Sequence, residues 1–381
     1  MFKIPSLKKA SSKRRICEDL PSFDFGSLEA KEQIGYGSYG VVYKALHQKV
    51  LVVAKKLIGE SAEEESCFIK EARLMYSLKH ENIVGFKSFS SSPCAILMEY
   101  LFFDFSLFEI SKQLSNLVEF LNYIDKIDAF TYFENDLILK MGYQISKGLE
   151  YLYSKGVAHR DLKAKNILVS NQHYCNLADE QHRYKVFSER PVICKLADFG
   201  ESRSHLIQTA AVLHSKTKNI DRGTSVYMAP ELQIESCRSK AANFDSLQKV
   251  DMWAFGMVLF NLVNPNLKYP FQLDLKKDAP LKKQLPRILQ QQKYPTQSKK
   301  YALQQESSWA PVIAVMKKCL IFNPDDRPTA SEIMNQLQQL LSKSAEEQTF
   351  ELEKRIEPLK EKQKQAAVID LRGELKQGKE E

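Results

Sequence analysis

Two short strings constrain this chain more than anything else in it. His159-Arg160-Asp161-Leu162-Lys163-Ala164-Lys165-Asn166 places a carboxylate and a carboxamide five residues apart on one tight loop. Asp198-Phe199-Gly200 adds a second carboxylate directly after a strand-like run, Val192 to Leu196. A fold that brings the strings together aims two oxygen-bearing side chains, Asn166 and Asp198, at one point. That suits Mg²⁺, which takes carboxylates together with phosphate oxygens. Asp161 is then left free to accept a hydroxyl proton.

Other motifs surround these strings in a fixed order. Near the start, Gly35-Tyr36-Gly37-Ser38-Tyr39-Gly40-Val41-Val42 forms a glycine-rich turn between two β-like runs. Glycine lets backbone N–H groups approach phosphates with no Cβ in the way. Taken alone, the pattern is equally an ordinary hairpin. A β-rich run, Val50 to Leu57, then carries Lys55 and Lys56. The spacing of Phe68, Leu74, Met75 and Leu78 predicts a helix from Glu63 to Leu78, with Glu71 inside it. A strand from Ala95 to Glu99 leads to Tyr100-Leu101, and a helix from Leu137 to Lys155 leads into the first string. Downstream come Ala229-Pro230-Glu231, Asp251-Met252-Trp253-Ala254-Phe255-Gly256, and Arg327 within Asn323-Pro324-Asp325-Asp326-Arg327-Pro328. From about Lys31 to about Leu341 the chain resembles the eukaryotic protein kinase family. The resemblance implies an α+β, bilobal fold: a small β-rich N-lobe with one helix, 28–100, and a larger, mainly helical C-lobe, 101–342.

The family's site residues carry over position by position. The resemblance implies phosphoryl transfer from ATP, with Asp161 accepting the hydroxyl proton of a protein substrate, and Asn166 and Asp198 holding Mg²⁺. Gly35, Gly37 and Gly40 would cover the phosphates, with Ile34 in the same nucleotide-binding set. Val42 and Leu168 would sandwich the adenine, Met98 would lie behind it, and the backbone of Glu99 and Leu101 would bond the purine edge. A strand lysine held by Glu71 would reach the α- and β-phosphates. Side chains alternate along a strand, so Lys55 and Lys56 cannot both do so. Lys55 as the phosphate ligand places Val53 near the adenine. Lys56 keeps the family's alanine there but turns Lys55 towards the core. Burying an unpaired lysine costs more than two added methyl groups, which favours Lys55. Arg327 would pair with Glu231 and lock the activation segment to the C-lobe.

Substrate class follows the same resemblance. Lys163, two residues after Asp161, is the serine/threonine-kinase choice, where it steadies the transferring phosphate. Gly223-Thr224-Ser225-Val226-Tyr227-Met228 is similar to the serine/threonine version of the segment before Ala229, with Thr224 bonding towards Asp161 and Lys163. Val42 to Lys44 and Leu196 to Gly200 are also similar to the tyrosine-kinase-like group, most of which phosphorylate serine or threonine. Arg160 implies switching by activation-segment phosphate, with an upstream kinase as a partner. Ser202, Ser204, Thr209, Ser215 and Thr217 lie in that segment, and Ser215 or Thr217, among Lys216, Lys218 and Arg222, is the expected site. Dual-specificity activity, a pseudokinase scaffold and a small-molecule kinase are the competing readings. Intact Asp161, Asn166 and Asp198 weigh against the scaffold, and Ala229-Pro230-Glu231 with Arg327 against the last.

Composition sets the remaining expectations. An apolar fraction of 44% supports a substantial core, and the stretch from Val250 to Val263 is too short and polar to span a membrane. Seven scattered cysteines, odd in number and without metal-ligand spacing, fit free thiols in a reducing compartment. The start lacks the apolar core of a secretory signal, so the expected location is cytoplasmic, with the nucleus also open to it. The net charge of +8 is modest and spread out, and does not by itself argue for nucleic acid. Residues 1–27 read as a basic arm and 343–381 as a charged, partly helical tail. Two insertions stand out: 101–136, rich in Phe and Tyr and expected to add a helix against the C-lobe, and 171–191, polar and expected to be a mobile surface excursion.

Overall fold

The computed structural model describes residues 19–37, 40–59, 61–133, 136–204, 225–234, 244–276, 278–306 and 308–344. The N-terminal arm, the tail beyond 344 and the candidate phosphosites Thr209, Ser215 and Thr217 lie outside them. Residues 29 to 99 form a five-stranded antiparallel sheet, β1 (Glu29–Gly37), β2 (Gly40–His47), β3 (Val50–Leu57), β4 (Phe86–Ser91) and β5 (Cys94–Glu99), in the order β1-β2-β3-β5-β4. Short strands follow: β6 (Phe103–Asp104), β7 (Gln113–Leu114), β8 (Val157–Ala158), β9 (Ile167–Ser170), β10 (Ile193–Leu196) and β11 (Arg203–Ser204). Helices of eight residues or more are α1 (Ala62–Ser77), α2 (Leu117–Lys126), α3 (Leu137–Ser154), α4 (Glu180–Glu189), α5 (Phe244–Leu262), α6 (Leu281–Gln290), α7 (Ala310–Cys319) and α8 (330–344). This is the bilobal α+β architecture that the resemblance implies.

Register decides what each face of the sheet does. Val42, Lys55 and Ile96 are neighbours across β2, β3 and β5, and Val53 and Met98 are neighbours one step along the same face. The opposite face presents Val41, Lys56 and Ala95 in line, then Tyr43, Ala54 and Leu97. There Ala45, Val52, Ala54, Leu97 and Leu28 close a small second core. Helix α1 starts at a capping box. The Ser61 hydroxyl accepts from the Glu64 N–H at 3.2 Å, and the Glu64 carboxylate accepts from the Ser61 N–H at 3.3 Å. Phe68, Ala72 and Met75 bury one side of it, and Glu71 shares that side.

In the larger lobe α5 is buried on nearly every side, with Trp253, Phe255, Met257, Val258, Leu259 and Phe260 all inaccessible. Among the described residues no helix is long and apolar enough to cross a membrane. The first insertion folds as expected in part: α2 buries Leu117, Phe120, Leu121 and Ile124 against the lobe. The second differs from its expectation. It contains α4, and Phe187 on α4 meets Phe108, Phe133 and Tyr174 at ring separations of 6.1, 6.0 and 5.7 Å. Tyr174 itself is fully buried, its hydroxyl donating to the Pro191 carbonyl at 2.8 Å. Phe187 seats this mostly polar segment on the aromatic residues of the first insertion.

Arg327 closes the C-lobe. Its guanidinium is inaccessible to water and uses all five N–H groups. Nη1 and Nη2 reach the two Glu231 oxygens at 2.7 and 2.8 Å. Nε donates to the Ile321 carbonyl, and the remaining hydrogens to the carbonyls of Lys249 and Phe322, at 2.7, 2.9 and 3.1 Å. The ring of Trp253 lies 5.1 Å below. A lysine cannot reproduce this fork. Arg327→Met is expected to destabilise the protein by about 3–5 kcal/mol, because Glu231 is left as an uncompensated buried charge. Chemical denaturation of the two proteins checks this.

Candidate active site

The loop between β8 and β9 is held from beneath by Asp251, a buried carboxylate on α5. It accepts the backbone N–H of His159 at 2.6 Å and of Arg160 at 2.7 Å. Burial pushes the Asp251 carboxyl up, and the nearby His159 and the two backbone donors oppose that. The grip fixes Arg160 at a φ of 68°, a left-handed conformation that costs a side-chain-bearing residue free energy. His159 is buried, with Nε2 3.1 Å from the Ala197 carbonyl oxygen and its ring 5.3 Å from that of Phe199. The lone carboxylate inside the apolar run Val250 to Val263 was the sequence signal for Asp251, and its role as the loop's anchor was not read from it.

Above this anchor, Asp161 and Asn166 face each other. The Asn166 amide donates to the Asp161 carbonyl at 2.9 Å and to its carboxylate at 3.0 Å. With the amide hydrogens committed, the carbonyl oxygen of Asn166 is the group that remains to bind a cation. The Lys163 ammonium sits 2.8 Å from Asp161 Oδ2. β9 pairs with β10, and the Ala197 N–H donates to the backbone carbonyl of Asn166 at 2.9 Å, so the two strings of the sequence become one unit, and the side-chain oxygen of Asn166 is not used by this bond.

Lys55 joins that unit to the sheet. Its ammonium lies 2.7 Å from Glu71 and 3.2 Å from Asp198. Burial acts to lower the Lys55 ammonium, but the charges of Asp198 and Glu71 outweigh it and hold the group above the ordinary lysine value. Lys55 in turn holds the Asp198 carboxyl below its usual range, against the effect of burial. Asp198 has a φ of 65°, and its carboxylate is half-exposed, leaving Oδ2 available. Lys56, the alternative to Lys55 as the phosphate-facing lysine, is set apart by the register. It lies on the other face of the sheet, its ammonium 5.7 Å from the Phe25 ring centre.

The other candidates sit on the elements around Lys55. Gly35 pairs with Val42, and Gly37 with Gly40, at the β1–β2 end of the sheet, where Ile34 is half-exposed. A Cβ on Gly40 would come within 2.6 Å of the Lys56 carbonyl oxygen, so the turn needs glycine there for the backbone as well. Val42 and Met98 share the Lys55 face, Glu99 ends β5, Leu101 is buried just beyond it, and Leu168 is half-buried on β9. Thr224 lies outside the described residues. Among the described residues no three His, Cys, Asp or Glu side chains gather as a metal cluster. Asn166 and Asp198 instead fit Mg²⁺ held by one or two protein oxygens plus phosphate oxygens.

Comparison with known proteins identifies the family. A family profile described as protein kinase domain matches residues 28–337. The chain is 29% identical over 335 residues to the tyrosine-protein kinase transforming protein Abl of Abelson murine leukemia virus, covering 85% of this chain and 36% of that one. It is 32% identical over 252 residues to the putative serine/threonine-protein kinase/receptor R831 of Acanthamoeba polyphaga mimivirus, covering 65% and 13%. To the human tyrosine-protein kinase ABL2 it is 29% identical over 310 residues, covering 80% and 21%. The chain thus spans about a third or less of the length of these relatives. It belongs to the protein kinase family.

Three substitutions test the geometry. Lys55→Met is expected to lower transfer from Mg²⁺-ATP by about two orders of magnitude, while Lys56→Met stays within about threefold of wild type, as steady-state assays of the pair will show. Asp251→Asn keeps the volume but leaves one buried N–H without its acceptor. It should cost about 1–3 kcal/mol, read as a lower urea midpoint at unchanged slope.

Proposed function

We propose that the chain is an ATP-dependent protein serine/threonine kinase acting in intracellular signalling. The observation that carries the reading is the joined arrangement of Lys55, Glu71 and Asp198 with Asp161, Lys163 and Asn166. In it Lys55, oriented by Glu71, neutralises the α- and β-phosphates of ATP. Mg²⁺, when held by Asn166 and Asp198, supplies charge neutralisation at the β- and γ-phosphates. Asp161 receives the substrate hydroxyl proton, and Lys163 beside it steadies the transferring phosphoryl group. The glycine turn covers the phosphates, Val42 and Leu168 enclose the adenine, and the Glu99 and Leu101 backbone bonds its edge. Most of the acceleration in such a site comes from positioning and fixed charge, which suits a constellation built on rigid strands and one buried anchor.

Serine/threonine selectivity rests on Lys163, seated 2.8 Å from Asp161, and on the similarity of 223–228 to the serine/threonine version of the family. The names of the two Abl-type relatives favour a dual-specificity reading as the alternative. Phosphorylation of Ser215 or Thr217 by an upstream kinase, with the phosphate pairing to Arg160, is the regulation we propose.

The deciding experiment is radiolabel transfer from Mg²⁺-ATP to myelin basic protein by wild type, Asp161→Asn and Asp198→Asn, followed by phospho-amino-acid analysis. Phosphoserine or phosphothreonine that disappears in both variants is the expected result. Phosphotyrosine alongside them would establish dual specificity, and phosphotyrosine alone would overturn the assignment. No transfer and no ATP-dependent rise in melting temperature would indicate a scaffold.

A further inference from the structure

Glu99 ends β5, and its backbone is the expected contact for the purine edge. Its side chain turns elsewhere. Oε1 accepts the Gly85 N–H at 2.6 Å and the Lys195 ammonium at 2.6 Å. The Glu99 N–H donates back to the Gly85 carbonyl at 3.0 Å. Gly85 is tightly enclosed: a Cβ there would lie 3.1 Å from the same carboxylate oxygen. Both Glu99 and Lys195 are part-buried, with side chains 26% and 18% exposed. Bonds this short between an ammonium and a carboxylate are charge-assisted and of the strong class.

Lys195 is placed to transmit position. On β10 it sits directly across from Leu168 on β9, and it precedes Asp198 by three residues. Its neighbour Leu196 is bonded on both sides, its N–H to the Asn82 carbonyl at 2.8 Å and its carbonyl to the Val84 N–H at 2.9 Å. The side chain of Lys195 therefore rises from a strand locked to residues 82–84 and reaches the carboxylate that Gly85 also holds. One ion pair thus joins the hinge, Glu99 to Leu101 at the expected purine edge, to the strand that pairs with Leu168, the expected floor of the adenine slot, and leads to Asp198.

We propose that Lys195 is a positioning residue for nucleotide binding, which sets the hinge edge of the adenine slot against its floor through Glu99. The proposal rests on the nucleotide-site reading above. It assigns the Glu99 side chain a task separate from that of its backbone. Because the pair acts on slot geometry and not on the transferring group, its loss should weaken nucleotide binding and leave the chemical step nearly intact.

The test measures Mg²⁺-ADP affinity by calorimetry, and KM for ATP and kcat, in wild type, Lys195→Met, Lys195→Arg, Glu99→Gln and the Lys195→Met/Glu99→Gln double variant. Lys195→Met should weaken ADP binding and raise KM about five- to tenfold with kcat within about twofold, and Lys195→Arg should restore binding to within about twofold. Glu99→Gln keeps an acceptor for Gly85 and should resemble Lys195→Met, with the double variant no worse than either single one. Unchanged ADP affinity in a folded Lys195→Met protein overturns the proposal. So does an Arg variant as weak as the Met variant, or a loss confined to kcat. Failure of wild type itself to bind Mg²⁺-ADP overturns the nucleotide-site reading, and this proposal with it, and is distinguishable because it appears before any substitution.

Discussion

A guanidinium that is permanently charged and shut off from water must have every N–H satisfied, and much of the C-lobe is arranged around meeting that demand at Arg327. Its partners come from three places: Glu231 after the activation segment, the carbonyls of Ile321 and Phe322, and the Lys249 carbonyl in α5. Two residues further along α5, Asp251 holds the loop that carries Asp161 and Asn166. Two residues beyond that, Trp253 lies under the guanidinium. A single stretch of one buried helix thus fixes both Glu231 and the loop bearing the candidate catalytic carboxylate. Buried polar groups of this kind contribute little net stability when complete, and cost heavily when one member is missing.

Above this base, the site is made of two rigid halves with few links between them. The β9–β10 pair binds Asn166 to the strand that delivers Asp198. The sheet and α1 deliver Lys55 and Glu71. Lys55 spans the halves near the phosphates and Glu99 with Lys195 spans them near the adenine edge. Both are ion pairs, with the Lys55 ammonium largely buried and the Glu99–Lys195 pair part-buried.

The two insertions form one structure. Phe187 from the second packs among Phe108 and Phe133 from the first, and Arg190 reaches Glu81 in the loop after α1 at 3.1 Å. Glu81 also pairs with Lys147 on α3. A segment that is polar on average is anchored by its few apolar rings and by charge at its end, because burial of an aromatic side chain outweighs the exposure of its neighbours.

The sequence by itself determined the family, the order of the elements and the identity of the charged groups at the site. The strings around Asp161, Asn166 and Asp198 do so because their chemistry tolerates few other residue types at those spacings. Helix α1 and strand β3 were legible within a residue or so, since their apolar periods are local properties. Strand alternation limited the phosphate-facing lysine to Lys55 or Lys56, but only the register of β3 against β2 and β5 put Lys55 beside Glu71 and Lys56 over Phe25. Tertiary structure alone decided what Asp251 holds, that Phe187 seats the second insertion, and that Glu99 and Lys195 meet. Each of these joins residues 50 to 100 positions apart or turns on which face of an element is buried, and neither separation in space nor burial is encoded in a local run of residues.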